Sequence, residues 1–327
     1  MNTTPSAPLH SVSTTVRHLS TSDQDHPQID ATVRIPATGA RALVLGGGGS
    51  TGNAWLIGVV AGLFEAGLDV TAADLTIGTS AGSTAAAQLA GATPTELLSA
   101  ILNTAPPAGA GPRRGRAPAG PVASHLERTA AIIAASDDAA DMRRRMGAAA
   151  LEMEAASDGS WQAQWRATVA SRLPSQHWPE RAVLVTAVDA RTGEPVVFDR
   201  RSEVELVDAV AASCAGGLPY RIGDHQYIDG GYRRNENADL AAGYRRVLVL
   251  SPFGGRTRHP LDWGLQLAAQ VDELRARGSK VETIGPDSGS EHLFGANAMD
   301  PSLRPAAARA GYAHGGALAA HLAEFWR

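Results

Sequence analysis

The sequence holds one cysteine, Cys214, and one lysine, Lys280, among its 327 residues, and aromatics make up only 5% of it. A lone Cys makes no internal disulfide and builds no cysteine-rich zinc site. A single Lys far from the glycine-rich stretch excludes the phosphate loop of nucleotide hydrolases, which carries its Lys directly behind the glycines. Long apolar runs are missing as well. The best candidate, 42–64, is broken by four consecutive glycines, whereas a membrane-spanning helix needs about 20 uninterrupted apolar residues. Basic excess is also absent: the formal charge is −4 and the pI is near 6.2, which removes the electrostatic footprint of a nucleic-acid partner. The N-terminus has no basic start followed by an apolar core, so a cytoplasmic location is expected by default.

What is present is a core-forming composition, 44% apolar with 35 glycines. A chain of this length buries roughly three quarters of the surface its unfolded form exposes, and needs neither disulfides nor a metal to do so. Residues 1–39, rich in Ser, Thr, Pro and Asp, read as a mobile tail with a short strand near Ala31–Ile35. From Arg41 the pattern changes. Arg41–Leu45 is a short apolar strand entering a glycine loop, and Asn53–Ala66 continues at helical spacing up to Gly67. Asp74–Gly78 repeats the arrangement, with a helix over Ala81–Ala90. Two strand-to-helix units in succession argue for an α/β fold with a mostly parallel sheet. A Pro/Gly/Arg stretch at 104–121 and Ala-rich helices over 122–173 form a helical insertion, 104–180. The sheet resumes at Arg181–Val188, turns through Ala190–Glu194 into Pro195–Phe198, and adds strands at 226–228 and 246–250. Helices are expected at Glu203–Ala215, near 262–277 and over 302–326.

Three local signals carry chemistry. Gly46-Gly47-Gly48-Gly49-Ser50-Thr51-Gly52 lies between a strand and a helix, where glycines let backbone N–H groups converge on a negative charge and the helix adds its positive end. The same stretch satisfies the dinucleotide-binding fingerprint, with Asp69 at a tolerable distance for a ribose contact, so a dinucleotide-binding module is an alternative. Gly78-Thr79-Ser80-Ala81-Gly82 is a G-x-S-x-G on a strand-to-helix turn, the setting of a nucleophile elbow. Asp229-Gly230-Gly231 ends the strand-like Gln226-Tyr227-Ile228, although Asp-Gly is also a common turn. Four histidines follow Asp229, namely His259, His292, His314 and His321, and keep open a Ser-Asp-His hydrolase whose chain order they would satisfy.

Together the three signals resemble the patatin-like phospholipase family over about 41–250: a glycine-rich oxyanion loop, G-x-S-x-G about 30 residues later, and D-G-G far downstream. The residues around Ser213, Ala215 and Pro219, and Asn237-Ala238-Asp239, add to the likeness. The resemblance implies a three-layer α/β/α fold with a mostly parallel central sheet, one hydrolase domain over 40–327, and hydrolysis of lipid acyl esters with no metal and no cofactor. It implies Ser80 as nucleophile, Asp229 as base and Gly47, Gly48 and Gly49 as oxyanion donors. One position departs from the family pattern. Thr51 stands where the loop usually has Arg or Lys, so no fixed positive charge is expected beside the oxyanion, and a non-catalytic lipid or protein binder with the same fold is a further alternative.

Other features are read more modestly. Cys214 is a small core residue. Arg143–Arg145 and Arg113–Arg116 would touch anionic head groups if the protein makes peripheral membrane contact, and otherwise form a solvated face. Trp161, Trp165 and Trp178 would cover an acyl pocket if the insertion is a lid, and fit ordinary helix packing equally well. Head group, chain length and oligomeric state are not legible.

Overall fold

The computed structural model describes residues 30–31, 39–104 and 121–327. In chain order its first half runs β1 (Gly39–Leu45), α1 (Gly49–Glu65), β2 (Leu75–Gly78), α2 (Ala81–Gly91), α3 (Pro94–Asn103), α4 (Pro121–Ala134), α5 (Ala139–Ala155) and α6 (Trp161–Ala170). The second half runs β3 (Ala182–Asp189), β4 (Pro195–Phe198), α7 (Leu206–Ser213), β5 (Tyr220–Ile222), β6 (His225–Asp229), β7 (Tyr244–Leu250), α8 (Leu267–Ala276), β8 (Lys280–Ile284) and α9 (Arg304–Trp326).

Alternation along β1 sets the layering. Leu43 and Leu45 point into one buried cluster, with Trp55, Val59 and Leu206, while Ala42 and Val44 point into another, with Leu240, Val271 and Leu274. A strand presents successive side chains to opposite faces, so a sheet buried on both faces needs apolar residues at every position. The strand order is β5-β6-β3-β2-β1-β7-β8, with β4 also paired to β3. The central pairs β1/β2, β1/β7, β2/β3 and β7/β8 are parallel, and β3/β4, β3/β6 and β5/β6 are antiparallel. The result is a three-layer α/β/α sandwich around a mixed sheet of eight strands.

Helix α9 closes one layer by backbone contact with α1. A Cβ on Gly58 would lie 2.1 Å from the Ala308 carbonyl oxygen, and one on Gly311 2.3 Å from that of Trp55. No side chain larger than hydrogen fits there. The contact brings the start of α9 against the first turn of α1, beside the glycine loop.

The structure adds three elements to the sequence reading: α3, β5 and β8. The stretch expected as one loop, 216–231, contains β5; the expected helix near 262–277 is α8 alone, and β8 follows it. Helix α1 begins at Gly49, inside the glycine loop rather than at Asn53. Of the expected tail, Asp30 and Ala31 run beside β4: the Ala31 amide donates to the Val197 carbonyl at 2.7 Å, and the Val197 amide donates to the Asp30 carboxylate at 3.0 Å. The rest of that tail up to residue 38, most of the strand expected at Ala31–Ile35, and the Pro/Gly/Arg stretch 105–120 with Arg113, Arg114 and Arg116 lie outside the described residues. Of the basic run in α5, Arg143 donates to the Gly193 carbonyl and Arg144 and Arg145 to Asp141.

Candidate active site

The sheet delivers the three signals to one edge. β1 and β2 are parallel and end in register, Leu45 beside Gly78, so the glycine loop and the G-x-S-x-G turn leave the sheet side by side. Crevices at the carboxyl ends of parallel strands are where open α/β sheets bind ligands. β6 runs antiparallel to β3, with Ala187 opposite Asp229, and its end reaches the same edge.

Ser80 sits on a strained turn. Its φ of 52° and ψ of −116° put a non-glycine residue in the left-handed half of backbone space, a conformation that persists only where its surroundings over-determine it. Those surroundings are visible. A Cβ on Gly82 would lie 1.9 Å from the Leu45 carbonyl oxygen, and one on Gly78 2.5 Å from the Ser83 Cα, so both flanking glycines are required by close approach. The Ser80 amide donates to the Ser213 hydroxyl at 2.9 Å, and the Cys214 thiol donates to the Ser80 carbonyl at 3.1 Å. The Asp229 amide donates to the Ala215 carbonyl at 3.0 Å. One short segment after α7 therefore grips both signals. Cys214, read from sequence as a core residue, is a support of this turn; burial, then the nearby Asp229 carboxylate, pushes its thiol up to about 11, which keeps it protonated.

The Ser80 hydroxyl donates directly to Asp229 Oδ2 at 2.7 Å. Asp229 Oδ1 accepts from the Gly231 amide at 2.8 Å. Protein packed around the carboxylate disfavours its charge and raises it to about 6, against the two hydrogen bonds, which lower it. Among the described residues no histidine hydrogen-bonds to either group. His259 is bonded to Thr257, while His314 and His321 lie 4.0 Å from Asp287 and Glu282.

The glycine loop is shaped from below by Asn235 and from above by the segment before α9. The Gly47 amide donates to the Asn235 carbonyl at 2.9 Å, and the Asn235 side chain donates to the Gly47 carbonyl at 3.2 Å. The Gly47 N–H, expected from sequence among the oxyanion donors, is thus engaged inside the fold. The amides of Gly48 and Gly49 donate to no acceptor among the described residues, as expected for the first turn of a helix. Asn235 itself accompanies Glu236, which is buried and bonded to Asn235, Ser251 and Gln270, so that burial raises its carboxyl against those bonds. Thr51 is buried and its amide donates to the Ala298 carbonyl. A fixed positive charge does reach the loop, contrary to the reading from Thr51. Arg304, at the start of α9, donates to the Ser50 carbonyl at 2.7 Å and to the Asn53 side chain at 3.0 Å. Sequence offered no signal for it, since 254 residues separate Arg304 from Ser50.

Ser80, Asp229 and Gly47–Gly49 line one cavity of about 1400 Å³. Leu126 and Ile133 of α4, Met153 of α5 and the stacked Trp161 and Trp165 of α6 give it an apolar wall. Trp178 is elsewhere, donating to the Val204 carbonyl. Asp69 closes its own turn with Thr71. Among the described residues no group of three His, Cys, Asp or Glu gathers to hold a metal, and no helix is long and apolar enough to cross a membrane.

The family model of the patatin-like phospholipases matches residues 43–242, well over half of the chain, and the protein belongs to that family of lipid acyl hydrolases. No curated protein matches the sequence. Among solved structures, the chain is similar to the crystal structure of VipD from Legionella pneumophila, at 13% identity and a TM-score of 0.38, over 88% of this chain and 67% of that one.

Proposed function

We propose that the protein hydrolyses carboxylic esters of lipids through a Ser80–Asp229 dyad and an acyl-enzyme. The observation that carries this reading is the 2.7 Å hydrogen bond from the Ser80 hydroxyl to Asp229 inside a cavity lined by the glycine loop. A serine hydroxyl is a weak nucleophile until a base takes its proton, and a carboxylate raised to about 6 is a better base than an ordinary Asp while still ionised at neutral pH.

Ser80 Oγ attacks the ester carbonyl as its proton passes to Asp229. The carbonyl oxygen becomes an oxyanion facing the free amides of Gly48 and Gly49, with the Ala81 amide behind Ser80 as a further donor. Preorganised amides of this kind act most strongly on the charge that develops in the transition state, each contributing on the order of 10²–10³ in rate. Asp229 returns the proton to the leaving alcohol. A water, deprotonated by Asp229, then cleaves the acyl-Ser80 ester and regenerates the hydroxyl.

The acyl chain lies along the wall formed by α4, α5 and α6. On this reading 104–180 is an insertion in a single domain, 40–327, and its helices α4, α5 and α6 wall the cavity. Profiling p-nitrophenyl esters of increasing chain length on wild type, Ser80→Ala and Asp229→Asn tests the proposal. Turnover in wild type alone supports it, and equal inactivity of all three discards it.

A further inference from the structure

The charge of the cavity runs against that of the chain. The protein carries a formal −4, yet five arginines line the cavity around Ser80 and only two carboxylates, Asp229 and Glu291, do so. Asp229 is engaged by Ser80, and Glu291 lies 3.5 Å from Arg256. Among the described residues the other four, Arg128, Arg172, Arg258 and Arg304, have no carboxylate within ion-pair distance. Cations gathered in a partly enclosed space without counter-charge leave a positive potential that a ligand of opposite sign relieves.

Arg304 reaches the glycine loop at Ser50, and the charge of Arg172 is felt at Cys214, which holds the Ser80 turn. A polar path runs from the Arg304 side chain to the Arg172 backbone: the Arg304 guanidinium donates to Asn53, the Asn53 amide to Gln88 at 2.9 Å, and the Gln88 amide to the Arg172 carbonyl at 3.1 Å. Every member of this path except the carbonyl is a side chain lining the cavity with Ser80. Arg304 touches only neutral oxygens, and burial, followed by the charge of Arg172, brings it down to about 10. Of the cavity histidines, His125 is lowered by burial, then by Arg128 and Arg258, and His259 by burial and then by Arg258. Neighbouring cations thus depress three groups in one cavity.

A zwitterionic head group would bring a cation as well, and against five arginines the cavity sets only two carboxylates, both already engaged. The Arg172 guanidinium already sits over the Trp165 ring, 5.5 Å from its centroid, and Trp165 is stacked with Trp161 at 6.2 Å. We propose that the cavity selects acyl esters with a net anionic phosphate head, and that Arg172 and Arg304 hold the phosphate beside Ser80. Two guanidinium forks match phosphate oxygens with charge-assisted hydrogen bonds. This inference rests on the catalytic reading above, and its test does not depend on turnover.

The test is binding, followed by calorimetry and by the fluorescence of the cavity tryptophans. The probes are dodecyl phosphate, dodecylphosphocholine, 1-dodecanol and inorganic phosphate, each below its micellar concentration. Dodecyl phosphate is expected to bind on the order of tenfold or more tighter than either other dodecyl compound, with an affinity that falls as salt rises. Arg172→Gln, which also gives up the contact with Trp165, is expected to shrink that preference several-fold; Arg304→Lys should do so while keeping the charge. Equal affinity for the three dodecyl compounds, or an Arg172→Gln variant with the full preference, overturns the proposal. Inorganic phosphate binding as tightly as dodecyl phosphate overturns the lipid assignment in favour of free phosphate. Whether Ser80→Ala abolishes ester hydrolysis is read separately, so failure of the dyad and failure of the anion site are distinguishable.

Discussion

Ser80 Oγ and Asp229 Oδ2 lie 2.7 Å apart, the hydroxyl donating straight to the carboxylate with no imidazole between them. A Ser-His-Asp triad separates nucleophile and acid by a ring. Here the acid itself is the hydrogen-bond partner, and on the proposed mechanism its environment sets its strength as a base.

The pH dependence of kcat/KM follows from that environment. With Asp229 raised to about 6, activity should climb through an apparent pKa near 6 and level off above pH 7. A histidine base would give a similar inflection, so the profile is to be repeated on His259→Ala and His292→Ala, the two cavity histidines that follow Asp229 in the chain. The inflection should persist in both, and its disappearance in either would assign it to that imidazole.

Asp229→Asn should trade activity for stability. An acid whose folded pKa lies above its unfolded value, about 3.9, loses stability as pH rises through that window, because the unfolded chain ionises first. The folded state therefore bears a cost at pH 7, on the order of 3 kcal/mol if the whole shift from about 4 to about 6 applies. A neutral Asn escapes it. Thermal unfolding at pH 7 should show a higher Tm for Asp229→Asn with ester turnover lost, the difference shrinking toward pH 4; a lower Tm at pH 7 would contradict the burial argument.

Ser213→Ala removes the acceptor for the Ser80 amide. An amide left without a partner costs about 1–3 kcal/mol, and the strained turn it helps hold should relax. The expected result is a reduced denaturation midpoint together with a fall in kcat of roughly tenfold, KM moving little. Unchanged kcat would show that Ser213 serves only the packing of α7.

Asn235→Ala tests the shaping of the glycine loop. It deletes the bond to the Gly47 carbonyl while leaving the backbone bond in place. A loss in kcat of about tenfold, with chain-length preference intact, is expected if Gly48 and Gly49 must be held to face the oxyanion. Wild-type kcat would mean that the backbone bond suffices.

Much of this site was legible in the sequence because its parts are local. A glycine run after an apolar strand, G-x-S-x-G after the next, and Asp-Gly-Gly after a third each report a turn whose backbone needs small residues. Layering was legible for the same reason, from strand and helix periods. What escaped was non-local. Arg304 reaches the loop only because Gly58 and Gly311 let α9 lie against α1, and Cys214 supports Ser80 only through the return of the chain after α7. β8 escaped because Lys280 and Glu282 interrupt its apolar pattern at the sheet edge. The engagement of the Gly47 amide depends on Asn235, 188 residues away, and no spacing rule reveals it.

The most direct test of the central claim is covalent trapping. Treatment with an alkyl fluorophosphonate, followed by intact mass and peptide mapping, should give one adduct, on the peptide containing Ser80. Ser80→Ala should remain unlabelled, Asp229→Asn should label far more slowly, and His259→Ala and His292→Ala should label like wild type. An unlabelled wild type, or an adduct on any other residue, would contradict the account.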